Sequence, residues 1–298
     1  MKYSVAIDIG GTNTRVALAD EELNIIERKQ FATDSENPDV TLGKIAEVIK
    51  SFDCDIVGAG MSCPGPLDLI NGKILTPPNL KGQWHNLKVA EELSKLINKP
   101  VYLENDANLA GLAEAVVGEG KNYNYVHFFT VSTGLGAGFV INKEIYHGAH
   151  GFGNEVANCV MMKDGPSHGS IIPGGIEAIS SGTAITSRAV KAGLDVKHAG
   201  EVNDLAKAGN EVAKQIMDDA KEYLANFIGV VYGYADPEIV ILGGSVALKI
   251  DGFVEEVEAL AKERVYEIMK PYVKVRKSTL NEDSGLIGAA YLAFSKAE

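Results

Sequence analysis

The sequence predicts an α/β fold with two similarly built halves, and three observations support this. Segments that pattern as strands alternate with segments that pattern as helices along the chain, which is typical of α/β proteins. Two apolar runs around a glycine turn occur near Asp8, and the same arrangement returns near Thr133. The length of 298 residues suits two domains of ordinary size. We expect one smaller N-terminal domain over residues 1–117 and 285–298, and a larger one over 118–284.

The first half begins with a predicted β-hairpin, because apolar runs over residues 5–7 and 15–19 flank a glycine turn. The later segments of this half alternate between helical spacing of apolar residues and short unbroken apolar runs. They predict, in order, a helix over 42–49, a strand over 55–61, a helix over 87–97, a strand over 101–103 and a helix over 107–117.

The second half repeats this opening, with a strand over 126–131, a glycine turn over 132–138 and a returning strand over 139–141. Apolar residues between positions 212 and 231 predict a long amphipathic helix that ends at Asp236 and Pro237. A strand over 239–242 then enters the third glycine turn, and we expect a final helix over 285–294.

Composition and charge exclude several classes of protein. The formal net charge is −12, from 28 basic and 40 acidic residues, whereas nucleic-acid binding needs clustered Lys and Arg. No apolar stretch reaches the ~18 residues of a membrane span, and Asp8 interrupts the early apolar run, which excludes a signal peptide. Three cysteines are too few for a disulfide framework and lack zinc-ligand spacing. We therefore expect a cytoplasmic protein with no nucleic-acid or membrane partner.

Three glycine turns, over residues 10–12, 133–138 and 243–245, are candidate phosphate sites. The backbone N–H groups of such turns can converge on an anion. Each turn alone is more often only a turn, but three together, two of them with threonine hydroxyls, favour a bound nucleotide. The P-loop pattern is absent, and the 134–138 motif continues into a strand, whereas a dinucleotide fingerprint opens a helix.

Asp8 immediately precedes the first glycine turn. A carboxylate at this position would repel phosphate unless a divalent cation lay between them, so the pairing suggests Mg²⁺ beside a nucleotide. The alternative is a carboxylate that accepts hydrogen bonds from the amides of its own turn.

Motifs spread along essentially the whole chain form an ordered series. They read D-I-G-G-T-N-T-R over 8–15, P-N-L over 78–80, E-N-D over 104–106, T-G-L-G over 133–136, G-F-G-N-E over 151–155 and I-L-G-G over 241–244. This series resembles the ROK family of sugar kinases. The resemblance implies the actin/hexokinase/Hsp70 ATPase fold, with two α/β domains around a central cleft, and ATP-dependent phosphorylation of a sugar.

The resemblance implies that Asp106, the aspartate of the E-N-D motif, is the general base for the sugar hydroxyl. A positioned carboxylate can accept the hydroxyl proton and contributes ~10²–10⁴-fold to the rate. The alternative is that residues 104–106 cap the following helix, because Asn and Asp are favoured cap residues. One aspartate could serve both purposes.

The resemblance also implies a set of sugar contacts, whose side chains offer the donors and acceptors that hydroxyls need. A favourable charge at a helix start would explain Glu177 equally well, and Asn79 could be an ordinary polar loop residue. The implied sugar-binding residues are Gly65, Asn79, Asn105, Asp106, Glu155, Asn158 and Glu177.

The same resemblance implies that the glycine turns bind the nucleotide and that Asp8 binds Mg²⁺ through water. The implied ATP-binding residues are Asp8, Gly10, Gly11, Thr12, Thr14, Thr133, Gly134, Gly136, Gly243 and Gly244.

The chain departs from the family pattern after Glu155. Asn158 stands where the family usually has a histidine, and Cys159 alone remains of the cysteine-rich zinc loop, so we expect no zinc. The change at Asn158 leaves the sugar open. We expect glucose phosphorylated at O6 by a homodimer; the alternatives are fructose, allose, N-acetylmannosamine or a β-glucoside, or a non-catalytic sugar sensor.

Overall fold

The computed structural model describes residues 2–63, 65–77, 79–280 and 283–297. Pro64 and Pro78, which belong to two of the motifs above, lie outside the described residues. The chain divides into two compact units. The first is Met1–Ala113 with His147–Phe152 and Leu280–Glu298, and the second is Glu114–Tyr146 with Gly153–Thr279. The sequence-based domain boundaries, after residues 117 and 284, stay a prediction.

Within the described residues, strands and helices alternate, which confirms the α/β class. The strands are β1 (Tyr3–Ile9), β2 (Asn13–Asp20), β3 (Ile25–Ala32), β4 (Ile56–Ser62), β5 (Leu67–Asp68), β6 (Lys73–Ile74), β7 (Val101–Glu104), β8 (Tyr125–Val131), β9 (Leu135–Ile141), β10 (Glu144–Ile145), β11 (Ile239–Gly243) and β12 (Val275–Lys277). The α-helices are α1 (Pro38–Ser51), α2 (Val89–Ile97), α3 (Asp106–Val116), α4 (Ile176–Ser180), α5 (Gly182–Lys191), α6 (Ala199–Lys207), α7 (Glu211–Ala235), α8 (Gly244–Lys249), α9 (Phe253–Lys262) and α10 (Ser284–Ala297).

The first unit is built on a five-stranded sheet in the order β3-β2-β1-β4-β7. The first three strands form antiparallel pairs, whereas β1, β4 and β7 run parallel to each other. The parallel strands are apolar along nearly their whole length because both faces of this part of the sheet are covered. Their carboxyl ends lie at one edge, which is where the motifs at Asp8 and over residues 104–106 occur.

Helix α10 packs directly against this sheet. A Cβ atom on Gly60 of β4 would lie 2.0 Å from the carbonyl oxygen of Ala289, and one on Gly288 would lie 2.0 Å from that of Leu109. Only glycine allows such close approach of two backbones. Small residues in α10 and in the strand therefore let the end of the chain become part of the first unit.

The second unit repeats this topology in a sheet of order β10-β9-β8-β11-β12. Here β8 and β9 are antiparallel, and β8, β11 and β12 are parallel. The hairpin with a glycine turn is thus the first element of both sheets, as the sequence predicted. The long helix α7 buries its apolar face in the core of this unit and ends at Asp236, whose backbone is left-handed (φ 45°).

The sequence analysis predicted no element between residues 142 and 210, where the structure has β10 and α4–α6. Helix α4 has only five residues, too few for a clear apolar period, whereas α5 and α6 have ten and nine, as many as the predicted helix α2. Among the described helices, none combines the length and the apolar character needed to cross a bilayer.

Candidate active site

The first glycine turn joins β1 to β2 and lies against Asn79. Gly10 donates its backbone N–H to the carbonyl of Asn13 at 2.9 Å, which closes the turn. A Cβ atom on Gly11 would lie 2.6 Å from the Cβ atom of Asn79, so glycine is required for this approach. The fold therefore brings together two motifs that are 68 positions apart in the chain.

Asp8 forms an ion pair with Arg15, its neighbour across the hairpin. The guanidinium Nη2 and Nε atoms lie 2.7 and 3.0 Å from Asp8 Oδ2. Both side chains are about a quarter exposed, at 26% each. Arg15 thus holds one oxygen of the carboxylate that the sequence analysis assigned to magnesium, a role that the sequence analysis did not assign to it.

Two threonines of the first motif differ in their exposure. Thr12 is exposed at the turn. Thr14 is fully buried, and its hydroxyl lies 2.8 Å from that of Thr33. Thr14 belongs to β2 and faces the interior, whereas Thr12 precedes the strand. The Thr14 hydroxyl supports the hairpin through Thr33, and the contact of Thr14 with ATP stays a prediction.

The E-N-D motif forms the junction between β7 and α3. Asn105 Oδ1 accepts hydrogen bonds from the backbone N–H groups of Ala107 at 2.9 Å and Asn108 at 3.3 Å. Asp106 Oδ1 also accepts from the Ala107 N–H, at 2.8 Å. The capping interpretation of this motif is therefore correct for Asn105. It leaves the second carboxylate oxygen of Asp106 outside the cap, so capping and base catalysis are compatible.

The pKa of Asp106 is raised, chiefly by loss of hydration, while the backbone N–H of Ala107 lowers it and the charge of Asp8 raises it further. The same two carboxylates raise the pKa of the buried Cys63 thiol, after the larger effect of burial. Asp8, Cys63 and Asp106 follow or end the parallel strands β1, β4 and β7, whose carboxyl ends meet at one edge. A raised pKa makes Asp106 a stronger base when it is ionised.

Oxygen ligands near the first glycine turn suit a magnesium ion. The charge of Asp8 contributes to the raised pKa of Asp106, and a cation beside the two carboxylates would relieve their repulsion. The described residues contain no group of three or more His, Cys, Asp or Glu side chains placed to hold a metal. A magnesium ion here would take most of its ligands from water and phosphate, as Mg²⁺ commonly does.

The second glycine turn joins β8 to β9 and is supported by Glu177. Glu177 Oε2 accepts a hydrogen bond from the Leu135 N–H at 2.8 Å. It would lie only 2.9 Å from a Cβ atom on Gly134. Thr133 is exposed at the tip of the turn, and Gly136 already pairs with Thr130 in the hairpin. The predicted sugar-binding carboxylate thus has one oxygen bound to the predicted phosphate turn.

A cavity of about 640 Å³ opens beside this turn in the second unit. Thr133, Thr183 and Ser245 present hydroxyls there, and Lys197 and Lys249 are at its wall. Helices α5 and α6, of ten and nine residues, begin at the cavity, and helix N-termini attract anions. The arrangement suits the phosphates of a nucleotide.

The sites predicted from the sequence do not include three of the residues named above, Thr183, Lys197 and Lys249. Thr183 follows Gly182 at a helix start, and this S-G-T pattern was the available signal. Lys197 and Lys249 carry no motif, because they come together only when the segments around α6 and α8 fold beside the same space. Ser245 belongs to the third glycine turn, which the sequence did mark as a candidate phosphate site.

Gly243 and Gly244 serve packing and do not line the cavity. A Cβ atom on Gly243 would lie 2.8 Å from the Phe128 ring, and one on Gly244 would lie 2.5 Å from the Val131 carbonyl. Gly244 also has a left-handed backbone (φ 84°). The two glycines let β11 turn into α8 against β8, and the neighbouring Ser245 lines the cavity. The contact of Gly243 and Gly244 with ATP stays a prediction.

The other predicted sugar contacts lie in loops. Gly65, between β4 and β5, is partly exposed in the first unit, whereas Glu155 and Asn158 are exposed in the second. Asn158 Oδ1 accepts a hydrogen bond from the Ile172 N–H at 2.9 Å. This bond closes the loop that replaces the zinc segment and leaves the amide N–H₂ group of Asn158 as a donor.

The fold is that of the actin/hexokinase/Hsp70 ATPase class. The crystal structure of a ROK hexokinase from Thermus thermophilus superposes with a TM-score of 0.89 and 28% identity over 99% of both chains. The model of the ROK family matches residues 4–296. The chain belongs to the ROK family, as the motif series predicted.

Curated relatives are similar over nearly their full length. A glucokinase of Thermotoga maritima is 31% identical, with 96% of this chain and 95% of the relative covered. An N-acetylmannosamine kinase of Salmonella heidelberg is 30% identical, with 97% of this chain and 98% of the relative covered. Both relatives are sugar kinases, and they act on different sugars.

Proposed function

We propose that this chain transfers the γ-phosphoryl group of Mg-ATP to O6 of a hexose, with glucose as substrate and Asp106 as general base. The family and the relatives described above support an ATP-dependent sugar kinase. The assignment of the general base rests on the position of Asp106, which lies at the start of α3 near Asp8 and has a raised pKa.

On the acceptor side, Asp106 accepts the proton of the sugar hydroxyl as that oxygen forms its bond to the γ-phosphorus. The bond between the γ-phosphorus and the β–γ bridging oxygen breaks, and ADP leaves with that electron pair. Asn79 and Asn105 hydrogen-bond neighbouring hydroxyls, and Gly65 lies beside the ring through its backbone. Fixed orientation of this kind accounts for much of phosphoryl-transfer catalysis.

On the donor side, the 640 Å³ cavity holds the nucleotide. Thr133, Thr183 and Ser245 donate hydroxyl hydrogen bonds to phosphate oxygens, and Lys197 and Lys249 balance their charge. Gly134 keeps the turn free of side-chain atoms. Because the whole chain carries a net charge of −12, these local groups must overcome a repulsive field.

Magnesium bound near Asp8 would neutralise charge on the phosphates during transfer. Asp8, paired with Arg15 through Oδ2, would hold the ion through its water ligands. Arg15 fixes the orientation of that carboxylate.

Glu155, Asn158 and Glu177 select the sugar. Glu177 accepts from the Leu135 N–H, so its second oxygen is the one that receives a hydroxyl. Asn158 donates through its amide N–H₂ group, because its oxygen is held by Ile172. This polarity suits an acceptor group on the sugar, such as a ring hydroxyl oxygen or the carbonyl of an N-acetyl group.

The test is an ADP-release assay with Mg-ATP and a panel of glucose, fructose, mannose, allose, N-acetylmannosamine and β-glucosides, followed by NMR of the product. We expect glucose to give the highest kcat/KM and phosphate to be on O6. A higher kcat/KM for N-acetylmannosamine would show that this sugar is the substrate and would leave the proposed mechanism unchanged. Sugar binding in a thermal-shift assay without ADP release would show that the chain is a sugar sensor and not a kinase. Light scattering tests the proposed homodimer.

A further inference from the structure

Glu104 is a buried carboxylate that holds both sides of the catalytic turn. Its Oε1 atom accepts hydrogen bonds from the Asn105 N–H at 2.8 Å and from Asn108 Nδ2 at 2.9 Å. Asp106 lies between these two residues. The residue is 2% exposed, so any rotation of its side chain would move the groups that flank Asp106.

The other oxygen of Glu104 is held by His147. His147 Nε2 lies 2.6 Å from Glu104 Oε2. The histidine begins the short segment His147–Phe152, which belongs to the first unit although the residues on both sides of it in the chain belong to the second. The sequence analysis assigned no role to this residue.

We propose that His147 is a positioning residue: its imidazole fixes Glu104, and through Glu104 the turn that carries Asp106, in the orientation that the reaction needs. The proposal rests on the proposed function, in which Asp106 is the general base. A buried carboxylate that loses one partner is strongly disfavoured and reorients toward water or another donor. The turn at Asp106 follows, and a displacement of ~1 Å at a reacting group can cost ~10²-fold in rate.

The ionisation of His147 adds a pH dependence. Its pKa is raised, first by the hydrogen bond to Glu104, whereas partial burial and the charge of Lys296 at the end of α10 lower it. Glu104 and Lys296 are the charged groups that face the imidazole. Below this pKa the contact is a charge-assisted hydrogen bond, and above it a weaker neutral one, because the Nε2–H tautomer still donates. The turn is therefore held less firmly as pH rises, and kcat declines on the alkaline side.

The experiment compares His147→Leu, which removes the donor, with His147→Gln, which keeps an N–H donor that does not titrate. His150→Leu is the matched control, because His150 is exposed in the same segment. We expect His147→Leu to lower kcat by about 10- to 100-fold with KM for ATP unchanged. We expect His147→Gln to keep kcat within about threefold, since one hydrogen bond is retained, and to lose the alkaline decline.

Two results would overturn the proposal: a His147→Leu variant with the kcat of His150→Leu, or an alkaline decline that persists in His147→Gln. If His147→Leu does not fold, the pH profile of His147→Gln decides alone.

A double variant separates positioning from general stability. In an Asp106→Asn background, His147→Leu should cause no further loss of kcat, because there is no base left to position. A full second loss would mean that His147 acts elsewhere and would overturn the inference. If Asp106→Asn alone keeps wild-type kcat, the proposed function and this inference are both wrong. If Asp106→Asn is inactive and His147→Leu is fully active, only the inference about His147 is wrong.

Discussion

Replacing Asp106 by asparagine tests the general base with little change in shape. Asparagine keeps the Oδ1 atom, so the hydrogen bond from the Ala107 N–H, 2.8 Å in the structure, can still form. The change also removes a negative charge near Asp8, and the charge of Asp8 contributes to the raised pKa of Asp106. We therefore expect a folded variant whose melting temperature is equal to or slightly above that of the wild type.

The expected loss of kcat follows from the chemistry of the amide, which cannot accept the hydroxyl proton. General-base catalysis contributes ~10²–10⁴-fold, or about 3–5 kcal/mol of activation free energy. We expect a loss of kcat within this range. KM for ATP should not change, since the donor cavity belongs to the second unit.

The assay measures kcat and both KM values by coupled ADP release, together with thermal unfolding. Asp39→Asn is the matched control, because Asp39 is an exposed aspartate in the first turn of α1 and should leave kcat unchanged. A kcat for Asp106→Asn within a factor of about three of the wild type, where loss of a general base predicts at least about a hundredfold, would refute the assignment of the base.

Three further predictions concern pH, packing and capping. The kcat of the wild type should fall as pH drops through the raised pKa of Asp106, because the protonated carboxyl cannot accept a proton; a flat acid side of the kcat–pH profile would contradict this. Gly60→Ala should lower the free energy of unfolding by about 1–3 kcal/mol in urea, since its Cβ atom would lie 2.0 Å from the Ala289 carbonyl; an unchanged value would mean that α10 is not packed in this way. Asn105→Ala should cost about 1 kcal/mol of stability by removing the cap of α3 and should raise KM for the sugar, measured by ADP release.

Two controls accompany these variants. Gly43→Ala, in α1, has no neighbour within 4 Å of the added Cβ atom and should stabilise the protein by about 0.5–1 kcal/mol. Asn210→Ala removes the cap of α7, where Oδ1 accepts from Ala213 at 2.9 Å, and should reduce stability without changing KM for the sugar. An equal rise in KM for the sugar in both cap variants would show that Asn105 does not contact the sugar.

Most of the fold could be predicted from the sequence because its signals are local. The hairpins around the glycine turns, the buried strands and the long helix α7 each show their apolar pattern within a short window. The repeated order of elements then indicated two related halves, and the motif series indicated the family. Short helices such as α4 were missed, since five residues contain little more than one turn.

The candidate site divides in the same way. The residue types at Asp8, Asn105 and Asp106 showed which chemistry is available, and the alternation of strands and helices placed them at strand ends. The sequence could not show that Thr14 is buried or that Gly243 packs against Phe128, because facing and burial depend on which strands become neighbours.

Contacts between distant segments were decided by the tertiary structure alone. His147 reaches Glu104 from 43 positions away, and Glu177 reaches Leu135 from 42. Neither pair has a local signal, because a hydrogen bond depends on distance in space and the chain sets only distance along itself. The residue types and their order determine which chemical groups the protein has. The orientation of each candidate catalytic group comes from the packing of strands and loops that meet only after folding.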